Sequence, residues 1–157
     1  MNRKAIKYLK YLLIYLPLIA LFGYEFKSII IDRGKVILPD GSKVLPAELK
    51  TEKVLHAIAE EMNKMLPRVV DQDTKLTLVE AKEGELIYDY DKINKNADEF
   101  NSHEFIDLMK PKAIDLACHS YDLEAYLGHG VNLHYMFYGK DHKLIGGVLV
   151  SQLDCSL

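Results

Sequence analysis

The chain has 157 residues, 49% hydrophobic and 27% charged, enough apolar material for one core and too little polar bias for a disordered segment. Four of its twenty basic residues, Arg3, Lys4, Lys7 and Lys10, crowd the first ten positions, while all 23 acidic residues come at Glu25 or later. The body is therefore acidic and offers no electrostatic footprint for a phosphate backbone, which argues against nucleic-acid binding.

The basic start runs into an uncharged stretch of fourteen residues, Tyr11 to Tyr24. This is the layout of a secretory signal or a signal-anchor. The stretch is short of the roughly 20 residues that span a bilayer, but Tyr8 and Leu9 extend it if Lys10 snorkels to the headgroups. No small-x-small cleavage site follows, Leu21-Phe22-Gly23 being a poor substitute, and no cysteine stands near the end of the run for lipidation. The expectation is a retained transmembrane helix over residues 1–27, with a cleaved signal and a buried soluble helix as alternatives. Basic residues ahead of the span put the N-terminus in the cytoplasm and residues 28–157 in the periplasm, a single-pass inner-membrane protein.

Ile29-Ile30-Ile31 and Val36-Ile37-Leu38, separated by Asp32-Arg-Gly and followed by Pro39-Asp-Gly-Ser, read as a small hairpin or an edge strand. Pro46 is placed to open the next helix at its first position. Leu55, Ile58, Met62, Met65 and Leu66 recur at helical spacing, and Pro67 ends the helix by disfavouring helical geometry at Leu66. Thr74 to Ala81 is a strand with Leu76 and Leu78 on one face. After the turn Lys82-Glu-Gly-Glu85, Leu86, Tyr88 and Tyr90 alternate with Ile87, Asp89 and Asp91, so both aspartates are expected to face water. Asn101 and Glu104 fit a capping box. Phe105, Leu108 and Met109 make that helix's stripe, Pro111 breaks or kinks it, and Ile114, Leu116 and Ala117 carry it on to Cys118. Between Cys118 and Cys155 come a short helix from Asp122 to Leu127, a stop at Gly128 and Gly130, and two alternating runs joined by Gly139-Lys-Asp-His-Lys. The first run puts Val131, Leu133, Tyr135 and Phe137 on one face and Asn132, His134, Met136 and Tyr138 on the other, a hairpin signature. The order is (β)β-α-β-β-α-α-β-β, an α+β fold with an antiparallel sheet built from hairpins and flanked by helices.

No catalytic spacing emerges. In an exported protein, two cysteines 37 positions apart most simply form one structural disulfide, Cys118–Cys155. Closing a loop of that size stabilises the fold by about 3–4 kcal/mol. The alternative is a Cys118–His119 nucleophile and base, but neighbours on a helix point about 100° apart. The six histidines, His56, His103, His119, His129, His134 and His142, lack HExxH spacing or a C-x2-C pair, so no metal site is expected. Asp71-x-Asp73 opens like a calcium loop but lacks its glycine and terminal glutamate. Gly146-Gly147 inside a strand marks a bulge or a close backbone approach. No phosphate loop, dinucleotide fingerprint or Gly-x-Ser-x-Gly is present, so neither cofactor nor small-molecule substrate is expected and the chain reads as a non-enzyme. The tyrosines near the two hairpins are candidate interface aromatics. With the adaptable methionines of the first helix they define a candidate partner surface of Met62, Met65, Tyr135 and Tyr138, for which core packing is the plain alternative.

From about Glu52 to Cys155 the sequence resembles the β-class pilotins of type II secretion systems. The matching features are Leu66-Pro67 closing a helix, Thr74-Lys-Leu-Thr-Leu-Val79, a second strand, a helix ending at Cys118, Gly130-Val-Asn-Leu133, a final hairpin and Cys155. The resemblance implies a sheet flanked by helices, a disulfide between the two cysteines, and a groove between sheet and helices that takes a partner helix or peptide. Those pilotins are outer-membrane lipoproteins, and this sequence has no cysteine after its apolar run, so the fold carries over and the outward-carrying role does not follow. The expected function is a membrane-anchored periplasmic adaptor or accessory factor of an envelope or secretion complex. The alternative is a periplasmic inhibitor or immunity protein, whose acidic body would suit a basic enzyme.

Overall fold

The structure, a computed structural model, describes residues 30–32 and 34–156. The segment expected to form the membrane helix, residues 1–27, lies outside them. Among the described residues no helix is long and apolar enough to cross a membrane.

Strands β1 (Ile30–Asp32), β2 (Lys35–Ile37) and β3 (Lys43–Val44) form a small antiparallel sheet. Pro46 opens a separate 3-10 turn, Pro46–Glu48, rather than the next helix. Helix α1 (Glu52–Asn63) starts after Thr51 and buries Leu55, Ile58, Ala59 and Met62, the expected stripe. It stops short of Pro67, giving way to tighter turns in which the Met65 N–H donates to the Met62 carbonyl and the Leu66 N–H to the Asn63 carbonyl, and at its end Asn63 reaches the sheet: Nδ2 donates to the Val79 carbonyl and Oδ1 accepts from the Val79 N–H, both at 2.8 Å. That pair of bonds fastens the end of α1 to the sheet and leaves Met65 beyond the helix.

The main sheet has the order β4-β5-β6-β7-β8: β4 (Arg68–Asp71), β5 (Thr74–Lys82), β6 (Glu85–Lys92), β7 (Asn132–Tyr138) and β8 (Leu144–Val150). Strand β4 was not among the expected elements. The pairings β4–β5, β5–β6 and β7–β8 are antiparallel, but β6 and β7 run parallel, with Leu86 opposite Leu133 and Tyr88 opposite Tyr135. The sheet is mixed, not antiparallel throughout. The two hairpins join through a long crossover, and a strand arriving by such a connection can pair in the same direction as its neighbour.

The crossover contains α2 (Ser102–His119) and α3 (Tyr121–Gly128). The Asn101 side chain accepts from the Glu104 N–H at 3.4 Å, as a cap should. Pro111 does not break α2, which runs on to His119. Pro111 and Asp107, whose carbonyl loses its partner, are both exposed, so water can replace the missing bond. Cys118 is bonded to Cys155, with Cα atoms 5.4 Å apart, which fixes the end of α2 to the turn after β8.

One core lies between the helices and one face of the main sheet, joining Leu55, Ile58 and Met62 of α1 to Ala113 and Ala117 of α2, Tyr126 and Leu127 of α3, and the inward residues of all five strands. Two local irregularities set which residues face it. A bulge at Thr77 turns Val79 and Ala81 inward, so Leu78, expected beside Leu76, points out and is 39% exposed. A register shift at Phe137/Tyr138 lets Ile145 join the core. A Cβ on Gly146 would lie 2.7 Å from the Ile106 side chain of α2, so the close approach of helix to strand requires glycine there. Asp91, expected in water, is buried. Lys75 of the neighbouring β5 approaches it at 3.7 Å, and His142 in the turn between β7 and β8 at 3.0 Å.

Candidate binding cleft

The parallel seam sets the site. Because Tyr88 and Tyr135 are directly paired on parallel strands, their side chains leave the sheet on the same face and in the same direction. Their rings stack with centroids 5.6 Å apart and planes 19° from parallel. Tyr90 continues the ladder against Tyr135 and Phe137. Met62 of α1, Leu116 of α2, Leu123 and Tyr126 of α3, and Leu76 of β5 stand around these rings and enclose a cavity of about 30 Å³. Ser120 and Asp122, at the junction of α2 and α3, supply its polar lining besides the tyrosine hydroxyls.

Desolvation dominates the electrostatics. Burial pushes the phenols of Tyr88, Tyr90, Tyr126 and Tyr135 above their ordinary value, and the charge of Asp122 adds to the effect on Tyr88 and Tyr126. Burial also raises the carboxyl of Asp122. The hydroxyls of Tyr88 and Tyr135 are buried and find no hydrogen-bond partner among the described residues. An unpaired buried hydroxyl is costly, and its persistence beside a cavity calls for an account.

Of the four candidate partner-surface residues, Met62 and Tyr135 line this cleft and are almost wholly covered, at 4% and 3% exposure. Met65 stands apart at 44%. Tyr138 lies on the opposite face of the sheet, as the alternation of β7 requires. The four do not form one surface. Tyr88, Tyr90 and Tyr126, which belong to the tyrosines near the hairpins read as candidate interface aromatics, also line the cleft, whereas Leu116, Leu123 and Asp122 were not singled out. The histidines do not converge. His134 pairs with Glu85 and His142 with Asp91, each at 3.0 Å, and His56, His103 and His119 each face a carboxylate one helical turn away. Among the described residues no group of three or more side chains could hold a metal ion.

No family model matches the sequence, and no curated protein matches it either. Solved structures do. A Pseudomonas aeruginosa protein described as a candidate secreted protein superposes with a TM-score of 0.59 at 19% identity, over 69% of this chain and 96% of that one. The pilotin EpsS of the Vibrio vulnificus type 2 secretion system gives 0.56 at 14% identity, over 69% and 94%. The type II secretion system pilotin AspS of Vibrio cholerae gives 0.54 at 16%, over 69% and 95%. Nearly the whole of each of these proteins is matched by this chain, which therefore has a pilotin-like fold.

Proposed function

We propose that this protein is a non-catalytic adaptor of a secretion or envelope complex, and that it holds an amphipathic helix or peptide of a protein partner in the cleft between its sheet and α2–α3. The observation that carries this reading is the cleft itself, apolar, lined by all three helices, and floored by two nine-tenths-buried tyrosines with unpartnered hydroxyls, in a pilotin-like fold. A partner helix lays its apolar stripe over the mouth of this cleft, whose volume of about 30 Å³ admits no more than the tip of one side chain. The N-terminal segment anchors the protein in the inner membrane with its body in the periplasm, a reading supported by the basic residues ahead of the apolar run.

The test is a photo-crosslinking residue at Leu123 in the full-length protein, expressed in its own cells. The expected product is a crosslink to a helical segment of an envelope-complex subunit, lost in Leu116→Glu. A crosslink to a secreted enzyme whose activity falls on binding would replace the adaptor with the inhibitor reading. A C-terminal reporter found active only in the cytoplasm would overturn the location.

A further inference from the structure

We propose that the face of the main sheet turned away from the helices is a second docking surface, for an amphipathic partner helix that carries a lysine or arginine within its apolar stripe and sets that cation against Asp89 and Glu80. This does not rest on the cleft reading, since the two sites lie on opposite faces of the sheet.

The strand register lays this face out in rows. Asp89 of β6 stands between Leu78 of β5 and Met136 of β7, and the next row holds Glu80, Ile87, His134 and Leu149. A sheet with one solvated face ordinarily turns polar residues outward. Here Leu78 and Leu149 are 39% and 50% exposed, and β8 turns out only Leu144, Gly147 and Leu149. The charge of the patch selects the occupant. Asp89 sits among these apolar neighbours with its Oδ1 buried and without a hydrogen-bond partner. The basic side chains of the face serve other carboxylates: Lys75 lies 3.7 Å from Asp91, and His134 lies 3.0 Å from Glu85. Burial, then the charges of Glu80 and Asp91, raise the Asp89 carboxyl, with His134 acting the other way. A cation brought to the open side of Asp89 relieves this charge, whereas a wholly apolar helix would bury it unpaired. A second copy of this chain, packed face to face about a two-fold axis, would set these acids against their own copies. A helix laid across the sheet, with one lysine or arginine flanked by leucines, matches both the exposed leucines and the uncompensated negative charge.

The test is a set of synthetic helical peptides with a leucine stripe and arginine, glutamine or glutamate at its centre, titrated against the full-length protein by fluorescence anisotropy. The arginine peptide is expected to bind about tenfold tighter than the glutamine peptide, and the glutamate peptide most weakly. The preference should vanish in Asp89→Asn/Glu80→Gln, which keeps the size of both side chains. Binding of the arginine peptide should fall by about tenfold or more in Leu149→Lys, an exposed position, and stay unchanged in Leu116→Glu, which alters the cleft. Equal binding of the arginine and glutamine peptides overturns the proposal. So does loss of binding in Leu116→Glu but not in Leu149→Lys, an outcome that leaves the cleft reading standing. Failure of every peptide to bind overturns the docking surface and leaves the cleft to its own crosslinking test. Dimerisation of the free protein in sedimentation equilibrium, abolished by Leu149→Lys, would put a second copy on this face and overturn the proposal as well.

Discussion

Asp91 Oδ2 lies 3.0 Å from His142 Nδ1, and this contact ties β6 to the turn between β7 and β8. The aspartate side chain is 7% exposed, the histidine 74%, and Lys75 approaches the same oxygen at 3.7 Å. A buried carboxylate is tolerable when polar or charged partners stand beside it and costly when they are removed. Removing one of the two is expected to have a small effect, because the other remains. Removing both, as Lys75→Ala/His142→Gly, is expected to cost about 1–3 kcal/mol. Glycine is chosen because His142 has φ +56° and glycine accepts that backbone without strain. Adding Asp91→Asn to the double variant should recover most of the loss. Urea midpoints measure this, and purely additive single effects would show that water, not these two side chains, solvates Asp91.

Alkali should unfold this protein through its cleft. Burial raises the pKa of Tyr88, Tyr90, Tyr126 and Tyr135 in the folded state, while in the unfolded chain they ionise near their ordinary value of about 10. Above that value the unfolded chain releases protons that the folded chain keeps. Their stabilisation is therefore complete below about pH 10 and is lost as pH rises beyond it, at up to about 1.4 kcal/mol per pH unit for each tyrosine. Urea midpoints between about pH 9 and pH 11 should fall steeply in the wild type and less steeply in Tyr88→Phe/Tyr135→Phe. Phenolate absorbance from these residues should rise only with loss of secondary structure. Ionisation within an intact fold would show that the cleft admits water freely.

The approach of α2 to β8 makes a size-exchange experiment possible. Gly146→Ala places a methyl group against Ile106 and is expected to destabilise by about 1–3 kcal/mol. Shortening the helix side chain, as Gly146→Ala/Ile106→Val, should return part of that loss. A double-mutant cycle measures the coupling, and a coupling near zero would mean that the helix shifts instead of the side chain.

What could be read in the sequence was local. The α1 stripe, the Asn101 cap and the alternation of β7 each depend on neighbours within one or two turns or on a simple period of two. The parallel seam could not be read, because it joins Glu85 and His134 across 49 positions and no periodicity reports which strand a chain returns to. The bulge at Thr77 escaped for another reason: one extra residue inverts the face of everything after it, and Thr77 reports it only once its hydroxyl is seen donating to the Asp89 carbonyl at 3.0 Å. The cleft was half legible. Tyr135 and Met62 were picked out as contact residues, yet an inward tyrosine alternates in the same way whether it meets a packed core or the floor of a cavity. Met62 and Met65 show the limit, since Asn63 ends the helix between them. Met62→Ala is expected to cost about 2–5 kcal/mol and Met65→Ala no more than about 0.5, read by thermal or urea unfolding.

Replacing Cys118 or Cys155 with serine is expected to lower stability by about 2–5 kcal/mol, the usual cost in a small domain. Reductant should weaken the wild type by a similar amount and leave the serine variants unchanged. Equal urea midpoints for reduced and oxidised wild type would show that the loop between the cysteines is already held by packing.

The direction of β7 also has a kinetic consequence. The hairpin strands can find each other quickly, because each turn brings its partners together within a few residues. The seam between β6 and β7 waits for closure of the whole segment that contains α2 and α3, and contacts between distant positions are slow to form. That same closure lays the two helices over Tyr88 and Tyr135. Completion of the sheet and appearance of the cleft are thus one event in folding, so under the proposed function the chain becomes competent to bind only when its last long-range contacts are in place.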